Sequence, residues 1–65
     1  MSGPVKAREI VKIIQDDGWF LARTRGSHRQ FHHSTKRGTV TVAGGANDDL
    51  PKKTLQSILK QAGLR

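Results

Sequence analysis

The sequence predicts a single α+β domain in which two helices pack on one face of a three-stranded antiparallel sheet. Apolar residues recur at helical spacing near both ends of the chain, and three short strand-like segments lie between them. The chain has 65 residues, of which 34% are hydrophobic. This composition supplies one small core and leaves no room for a buried substrate cavity, so any functional site must lie on an open surface.

The first helix is predicted over residues 7–17, followed by Gly18, which suits a left-handed helix end. Charged residues alternate with a narrow apolar stripe, so this helix must lie on a flat surface such as a sheet. Residues 1–5 are expected to be a tail outside the domain. The stripe consists of Ile10, Val11, Ile13 and Ile14.

Three strands are predicted next, over residues 19–24, 28–33 and 39–42. A turn at Arg25-Gly26-Ser27 and a loop over residues 34–38 connect them, and such short connections favour an antiparallel meander.

Residues 43–49 are expected to be a flexible connector, and Pro51 suits the first turn of the second helix. Gly63 is expected to end that helix. The resulting α-β-β-β-α order is that of the double-stranded-RNA-binding domain. The apolar stripe of the second helix consists of Leu55, Ile58, Leu59 and Ala62.

Alternation along the second strand predicts which side chains face solvent. Phe31 is its only large apolar residue, so the side of Phe31 should face the helices. The covered side then also holds Arg29, His33, Val40 and Val42. The open face holds His28, Gln30, His32, Thr39 and Thr41.

In the first strand, Trp19 and Leu21 are favoured as core residues over Phe20 and Ala22, because the indole has the largest apolar area. The opposite assignment stays open. A base-stacking role for Phe20 on the open face is a further alternative to ordinary surface exposure.

The charge of the chain indicates a polyanion as its partner. Lys and Arg total 12 against 5 Asp and Glu, which gives a net charge of +7, and the sequence pI is near 11.0. A solubilising surface, or a basic arm for a membrane or an acidic protein, is the alternative. The absence of cysteine excludes disulfides, thiolate metal sites and cysteine nucleophiles. No signal peptide or membrane span is recognised, so a cytoplasmic location without membrane contact is expected.

The three histidines do not form a metal site in this prediction, and no cofactor is expected. His28 and His32 should lie roughly 13 Å apart along a strand, too far to act on one phosphate. His32 and His33 point to opposite faces, which argues against joint zinc ligation. His33, near the strand end, is expected to be a packed or hydrogen-bonded histidine.

Several short segments together are distinctive. They are Gly18-Trp19, Arg23 to His28, Phe31-His32, Gly38 to Val42, Leu50 to Leu55 and Ile58 to Leu64. With these segments the chain resembles the HicA (YcfA-like) toxins over nearly its whole length. The Gly-Ser-His turn and the Leu-Pro-Lys start of the second helix are the most specific parts. One departure is Ala43-Gly44-Gly45-Ala46, where family members often carry proline and histidine or other polar residues.

The resemblance implies a double-stranded-RNA-binding-like fold and a ribosome-independent mRNA interferase activity. It also implies that the histidine of the Gly-Ser-His motif, His28, is needed for toxicity. The implied partner is a HicB antitoxin, which masks the active site and usually carries a DNA-binding module. DNA would then be contacted only indirectly, through the antitoxin.

The residues themselves support a catalytic role for His28. RNA is cleaved without metal when its own 2′-hydroxyl attacks the adjacent phosphorus, and an imidazole can take or give the proton that this reaction moves. We expect the turn and the neighbouring cations to bind the RNA backbone. The predicted RNA-binding residues are Arg23, Arg25, Gly26, Ser27, Arg29, Lys52 and Lys53.

Three alternatives remain at this point. His28 could merely cap the turn, with the arginines as solvated strand ends. The domain could bind RNA by shape and phosphate contacts without cutting it. It could also be a structural partner whose basic face is covered by an acidic protein.

Overall fold

The computed structural model describes residues 5–65, and it confirms the predicted α+β class and the α-β-β-β-α order. In chain order the elements are β1 (Val5–Lys6), α1 (Ala7–Asp16), β2 (Trp19–Arg25), β3 (His28–His33), β4 (Val40–Ala43), β5 (Asp49–Leu50) and α2 (Lys52–Gln61). The main sheet is antiparallel with the order β2-β3-β4, and β1 pairs separately with β5. Within residues 5–65, neither helix is long and apolar enough to cross a membrane.

The core lies between the two helices and one face of the main sheet. Helix α1 buries Ile10, Val11 and Ile14, whereas Ile13, which the sequence placed in the same stripe, is 47% exposed. Helix α2 buries Ile58, with Leu55 and Leu59 packed beside it. The sheet contributes Trp19, Phe31, Val40 and Val42, as predicted.

The sequence assignment of Leu21 to the core is wrong, although its predicted face is right. Leu21 pairs with Phe31, so both side chains lie on the helix side of the sheet. Leu21 is nevertheless 49% exposed. Strand β2 is at the edge of the sheet, and two short helices do not cover its outer side.

Glycine ends both helices where the sequence predicts it. Gly18 has a φ of 106° and follows α1, and Gly63 has a φ of 72° and follows α2. After α2, the Gly63 amide donates to the carbonyl of Lys60 and the Leu64 amide to that of Leu59. These two bonds form a Schellman motif, which satisfies carbonyl groups at the helix end.

The connector over residues 43–49 is not the flexible segment that its composition suggests. The amides of Ala7 and Arg8, at the start of α1, donate to the carbonyls of Asp48 and Ala46, both at 2.9 Å. The Asp48 carboxylate accepts a hydrogen bond from the Gly45 amide at 2.7 Å. The connector therefore satisfies the N–H groups that the first turn of α1 leaves without helical partners.

Strand β1 extends the domain into the segment that the sequence assigned to a tail. Val5 pairs with Leu50, and the Lys6 ammonium lies 2.5 Å from the Asp49 carboxylate. The Lys6 amide also donates to the Glu9 carboxylate at 2.7 Å, which caps α1. Residues 1–4 of the expected tail lie outside the described residues.

Polar contacts among Asp17, His33 and Lys36 connect the C-terminal ends of the two helices with the end of β3. The Lys36 ammonium donates to the Asp17 carboxylate at 2.5 Å and to the carbonyl of Ala62 at 3.1 Å. The Trp19 indole N–H donates to the same Ala62 carbonyl at 3.3 Å. Because Lys36 donates to the Asp17 carboxylate, it holds the pKa of this carboxyl below its usual value of 3.8.

We expect Asp17→Asn to lower the melting temperature at pH 7. A carboxyl whose pKa is lowered by folding stabilises the protein above its unfolded pKa, and this contribution is lost as pH falls through the folded value. The difference from the unmodified chain should therefore shrink progressively below a pH of about 4. Thermal unfolding followed by circular dichroism over this pH range measures it.

Asp16→Asn is the matched control. Asp16 is exposed, and its ion pair with the Lys12 ammonium is long at 3.9 Å and therefore weak. This substitution should change the melting temperature little. A deficit of Asp17→Asn that stays constant from pH 7 into the acid range would contradict the assigned role of the ionised carboxylate.

The close approach of Gly18 to the hydrogen-bonded His33 ring provides a second test of these contacts. A Cβ on Gly18 would lie 2.7 Å from Nε2 of His33, whereas a Cβ on Gly38, also at positive φ, would meet nothing within 4 Å. Gly38→Ala should cost about 1–2 kcal/mol from backbone strain alone. Gly18→Ala should cost roughly 1 kcal/mol more, since it also displaces a hydrogen-bonded ring. Equal losses in denaturant unfolding would show that the ring moves aside freely.

Candidate functional site

His28 begins the central strand of the sheet directly after a tight turn. Arg25 and His28 are cross-strand partners, so the turn contains only Gly26 and Ser27. Gly26 has a φ of 58°, which is typical of the first central position of a type II′ hairpin turn. On its other side His28 pairs with Ala43, whose small side chain leaves the imidazole accessible.

The imidazole of His28 is exposed and points away from the helices, as the sequence predicts. Phe31 is buried against the helices, and alternation along β3 then directs His28, Gln30 and His32 to the opposite face. Of the further residues predicted for this face, Thr41 pairs with Gln30, whereas Thr39 precedes β4. We call this uncovered side of the sheet the open face.

A bulge in β2 determines which arginines share the open face with His28. Regular pairing is interrupted between Leu21 and Arg23, so Ala22 is an extra residue in this strand. Leu21 lies on the helix side, and strict alternation would place Arg23 there too. Because of the bulge, Arg23 pairs with Gln30 and both point to the open face.

The acidic residues of the chain all lie outside the strands of the main sheet. Glu9, Asp16 and Asp17 belong to α1 and its end, and Asp48 and Asp49 belong to the connector and β5. Three of these carboxylates lie within 4.0 Å of the ammonium groups of Lys6, Lys12 and Lys36. Strands β2 and β3 carry three arginines, β4 has no charged residue, and none of the three strands contains an acid, which favours the approach of a polyanion to the sheet.

Arg29 lies on the covered side of the sheet, as alternation predicts, so it does not flank His28 on the open face as the other two predicted arginines do. It pairs with Val42, a buried residue, so its side chain starts on the helix side. There it lines an open concavity of about 300 Å³ at the hairpin end of the sheet. One guanidinium nitrogen of Arg29 is buried and has no hydrogen-bond partner among the described residues. The other residues that line this concavity are Thr24, Gly26, Ser27, Gly44, Gly45 and Ala46.

Lys52 and Lys53 begin α2, as predicted, and both are exposed. Helix α2 lies on the covered side of the sheet, so the structure does not bring these lysines together with the His28 side chain on the open face. Lys53 instead lies beside Lys60 and Arg65 along the outer surface of α2.

His33 is a structural residue, as expected from its position. Its Nδ1 accepts hydrogen bonds from the amides of Thr35 and Lys36, at 3.0 and 3.1 Å. This arrangement assigns the proton to Nε2, which donates to the carbonyl of Asp17 at 2.7 Å. Both ring nitrogens of His33 are therefore hydrogen-bonded to backbone groups.

His32 lies on the open face beside Phe20, whose face the sequence alone left open. It pairs with Phe20 of β2, and the two rings are in an edge-to-face arrangement with centroids 6.4 Å apart. Gln30 lies between His28 and His32 on the same face and was not among the expected site residues. Alternation along β3 was the signal that could have included it.

The fold and sequence of the chain are similar to those of a protein of solved structure. The chain aligns with a chain from a structure described as a toxin-antitoxin complex from Streptococcus pneumoniae, with a TM-score of 0.77 and 35% identity. The alignment covers 94% of this chain and 100% of that chain. None of the curated proteins compared with this chain matches it.

These comparisons show that the protein is a toxin of a bacterial toxin–antitoxin pair. A family model described as HicA toxin of bacterial toxin-antitoxin matches residues 7–64. The chain therefore belongs to the HicA toxin family, and the resemblance noted in the sequence is confirmed.

Proposed function

We propose that the chain is a metal-independent and ribosome-independent endoribonuclease, an mRNA interferase, with His28 as its catalytic residue. The observation that carries this proposal is the exposed imidazole of His28 on an acid-free sheet face, opposite Arg25. The site has no walls, so a long RNA strand can lie across it. Since mRNA is its substrate, the toxin would act in the cytoplasm.

His28 would move a proton at a ribose–phosphate junction. The 2′-oxygen of the RNA attacks the adjacent phosphorus while the bond from phosphorus to the 5′-oxygen breaks, which leaves a 2′,3′-cyclic phosphate and a 5′-hydroxyl. The imidazole either takes the proton from the 2′-hydroxyl or gives one to the departing 5′-oxygen. Both ring nitrogens of His33 are hydrogen-bonded to backbone groups, and His32 is roughly 13 Å from His28 along the strand. His28 therefore acts without a second histidine, and slow cleavage is expected.

The cations near the hairpin would hold the RNA backbone. Arg23 and Arg25 share the open face with His28, and their guanidinium groups suit phosphate oxygens and the charge that develops at phosphorus. Ser27 and the turn backbone at Gly26 border the same end of the sheet. Arg29 would meet a phosphate at this end from the covered side, in the concavity that it lines.

Lys52 and Lys53 would bind a more distant part of the RNA. They lie at the N-terminal end of α2, where backbone N–H groups and the helix dipole favour a phosphate. This contact alone would support RNA binding without cleavage, which is the second candidate function.

The partner that we propose is a HicB antitoxin whose bound form covers the open face and so masks His28. Acidic groups on that partner would complement the cations of the sheet. DNA would be contacted only through the antitoxin.

The proposed role of His28 predicts a specific kinetic defect. His28→Ala should lower the rate of RNA cleavage in the presence of EDTA by about 10²–10⁴-fold, because a positioned acid or base contributes an acceleration of this size. RNA binding should persist, since the arginines remain. Gel analysis of cleavage, with binding measured on the same RNA, checks both. If the unmodified chain and the variant bind equally and neither cuts, the domain is a binding module.

The proposed phosphate contacts predict a local charge effect on binding. Arg25→Ala should weaken single-stranded RNA binding and lower the slope of log K against log salt by about 0.7. Lys12→Ala removes the same charge from α1, where Lys12 lies near Asp16, and should leave the slope nearly unchanged. Equal effects of the two substitutions would mean that only net charge attracts the RNA.

A further inference from the structure

Phe20 and His32 form an exposed aromatic pair that the proposed cleavage step does not use. Phe20 is 51% exposed, on the side of β2 that faces away from the core. A single exposed aromatic residue is common at protein surfaces. Phe20 differs because its cross-strand partner is a second exposed ring, and because both lie on the same sheet face as His28.

We propose that Phe20 and His32 are a stacking platform for one nucleobase of a single-stranded RNA that runs along β3 from His28. This inference rests on the proposed function and specifies its substrate. Aromatic side chains on an open sheet face bind unstacked bases, whose faces are available only in single strands, loops and bulges. The platform therefore selects single-stranded RNA over duplex RNA.

The spacing along β3 suits a strand that joins the platform to the catalytic residue. His28 and His32 are four residues apart, which corresponds to roughly 13 Å at about 3.3 Å per residue. That distance spans about four nucleotides at a stacked rise of about 3.4 Å, and fewer when the strand is extended. Between the two histidines, Arg23 can meet a phosphate and Gln30 can hydrogen-bond a base edge or a 2′-hydroxyl.

The side chains around the platform complement the phosphates and polar base edges of an RNA strand. The neighbours of the aromatic pair on the open face are Arg23, Gln30 and Thr41, and no acid lies on the sheet. An antitoxin that covers the face would also contact these rings, and the experiment separates the two.

Phe20→Ala and Leu21→Ala form a matched pair for the test. The two residues are adjacent on β2 and are 51% and 49% exposed, but they lie on opposite faces of the sheet. Each is combined with His28→Ala so that RNA stays intact during the measurement. Affinity is measured by fluorescence anisotropy with a labelled RNA of about 12 nucleotides, both single-stranded and annealed to its complement.

Phe20→Ala should weaken single-strand binding by about 5- to 100-fold, the range expected for loss of one base–aromatic stack. Leu21→Ala should bind like the parent, and Phe20→Trp should restore affinity. In a series of RNAs that each lack one base, the affinity difference between Phe20→Ala and its parent should disappear for one RNA only. Its missing base should lie within about four nucleotides of the cleaved bond. Duplex binding should not respond to Phe20→Ala.

Equal RNA binding by Phe20→Ala and Leu21→Ala would overturn the inference, and so would an effect that no abasic position removes. Loss of binding to a HicB antitoxin by Phe20→Ala, with RNA binding intact, would reassign the rings to the protein partner. Because binding is measured without cleavage, a platform effect in a chain that never cuts RNA would refute the nuclease proposal alone. Normal cleavage without a platform effect would refute this inference alone.

Discussion

Two short helices can cover only one face of a three-stranded sheet, and this constraint determines the rest of the molecule. The covered face supplies Trp19, Phe31, Val40 and Val42 to the core, where the two helices pack on them. The other face stays in water and is free to carry residues that a core could not accept. A domain of this size has no second layer to spare, so its functional surface is a flat sheet instead of a cleft.

Two neighbouring histidines on β3 have different roles because alternate side chains of a strand point to opposite faces of the sheet. His33 points inward and binds three backbone groups, which fixes the end of α1 against the loop after β3. His32, the residue before it, points outward beside Phe20. The same side chain is therefore a hydrogen-bonded structural element in one position and a free ring in the next.

The sequence was sufficient for the element order and for the faces of β3 and β4, because hydrophobic periodicity records which side is buried. It was not sufficient for β2. Nothing in the local pattern marks Ala22 as an extra residue, and the exposure of Leu21 follows from the edge position of the strand, which only the assembled sheet defines. Alternation along β3 predicts both the open-face position of His28 and the covered position of Arg29, whereas the bulge that brings Arg23 to the open face is defined only by the assembled sheet.

The connector was misjudged for a related reason. Its glycines suggest freedom, but its partners are the amides of Ala7 and Arg8, which lie far away in the chain. Local composition describes what a segment can do in isolation, and long-range hydrogen bonds decide what it does in the fold.

All five acids lie at α1, the connector and β5, so no strand of the main sheet carries a negative side chain. A polyanion that approaches a chain of net charge +7 therefore meets no repelling carboxylate on β2, β3 or β4. The attraction acts over about 10 Å at moderate ionic strength, before any specific bond forms. The distribution of five carboxylates can therefore govern how quickly the protein finds its target, independently of how tightly it then holds on.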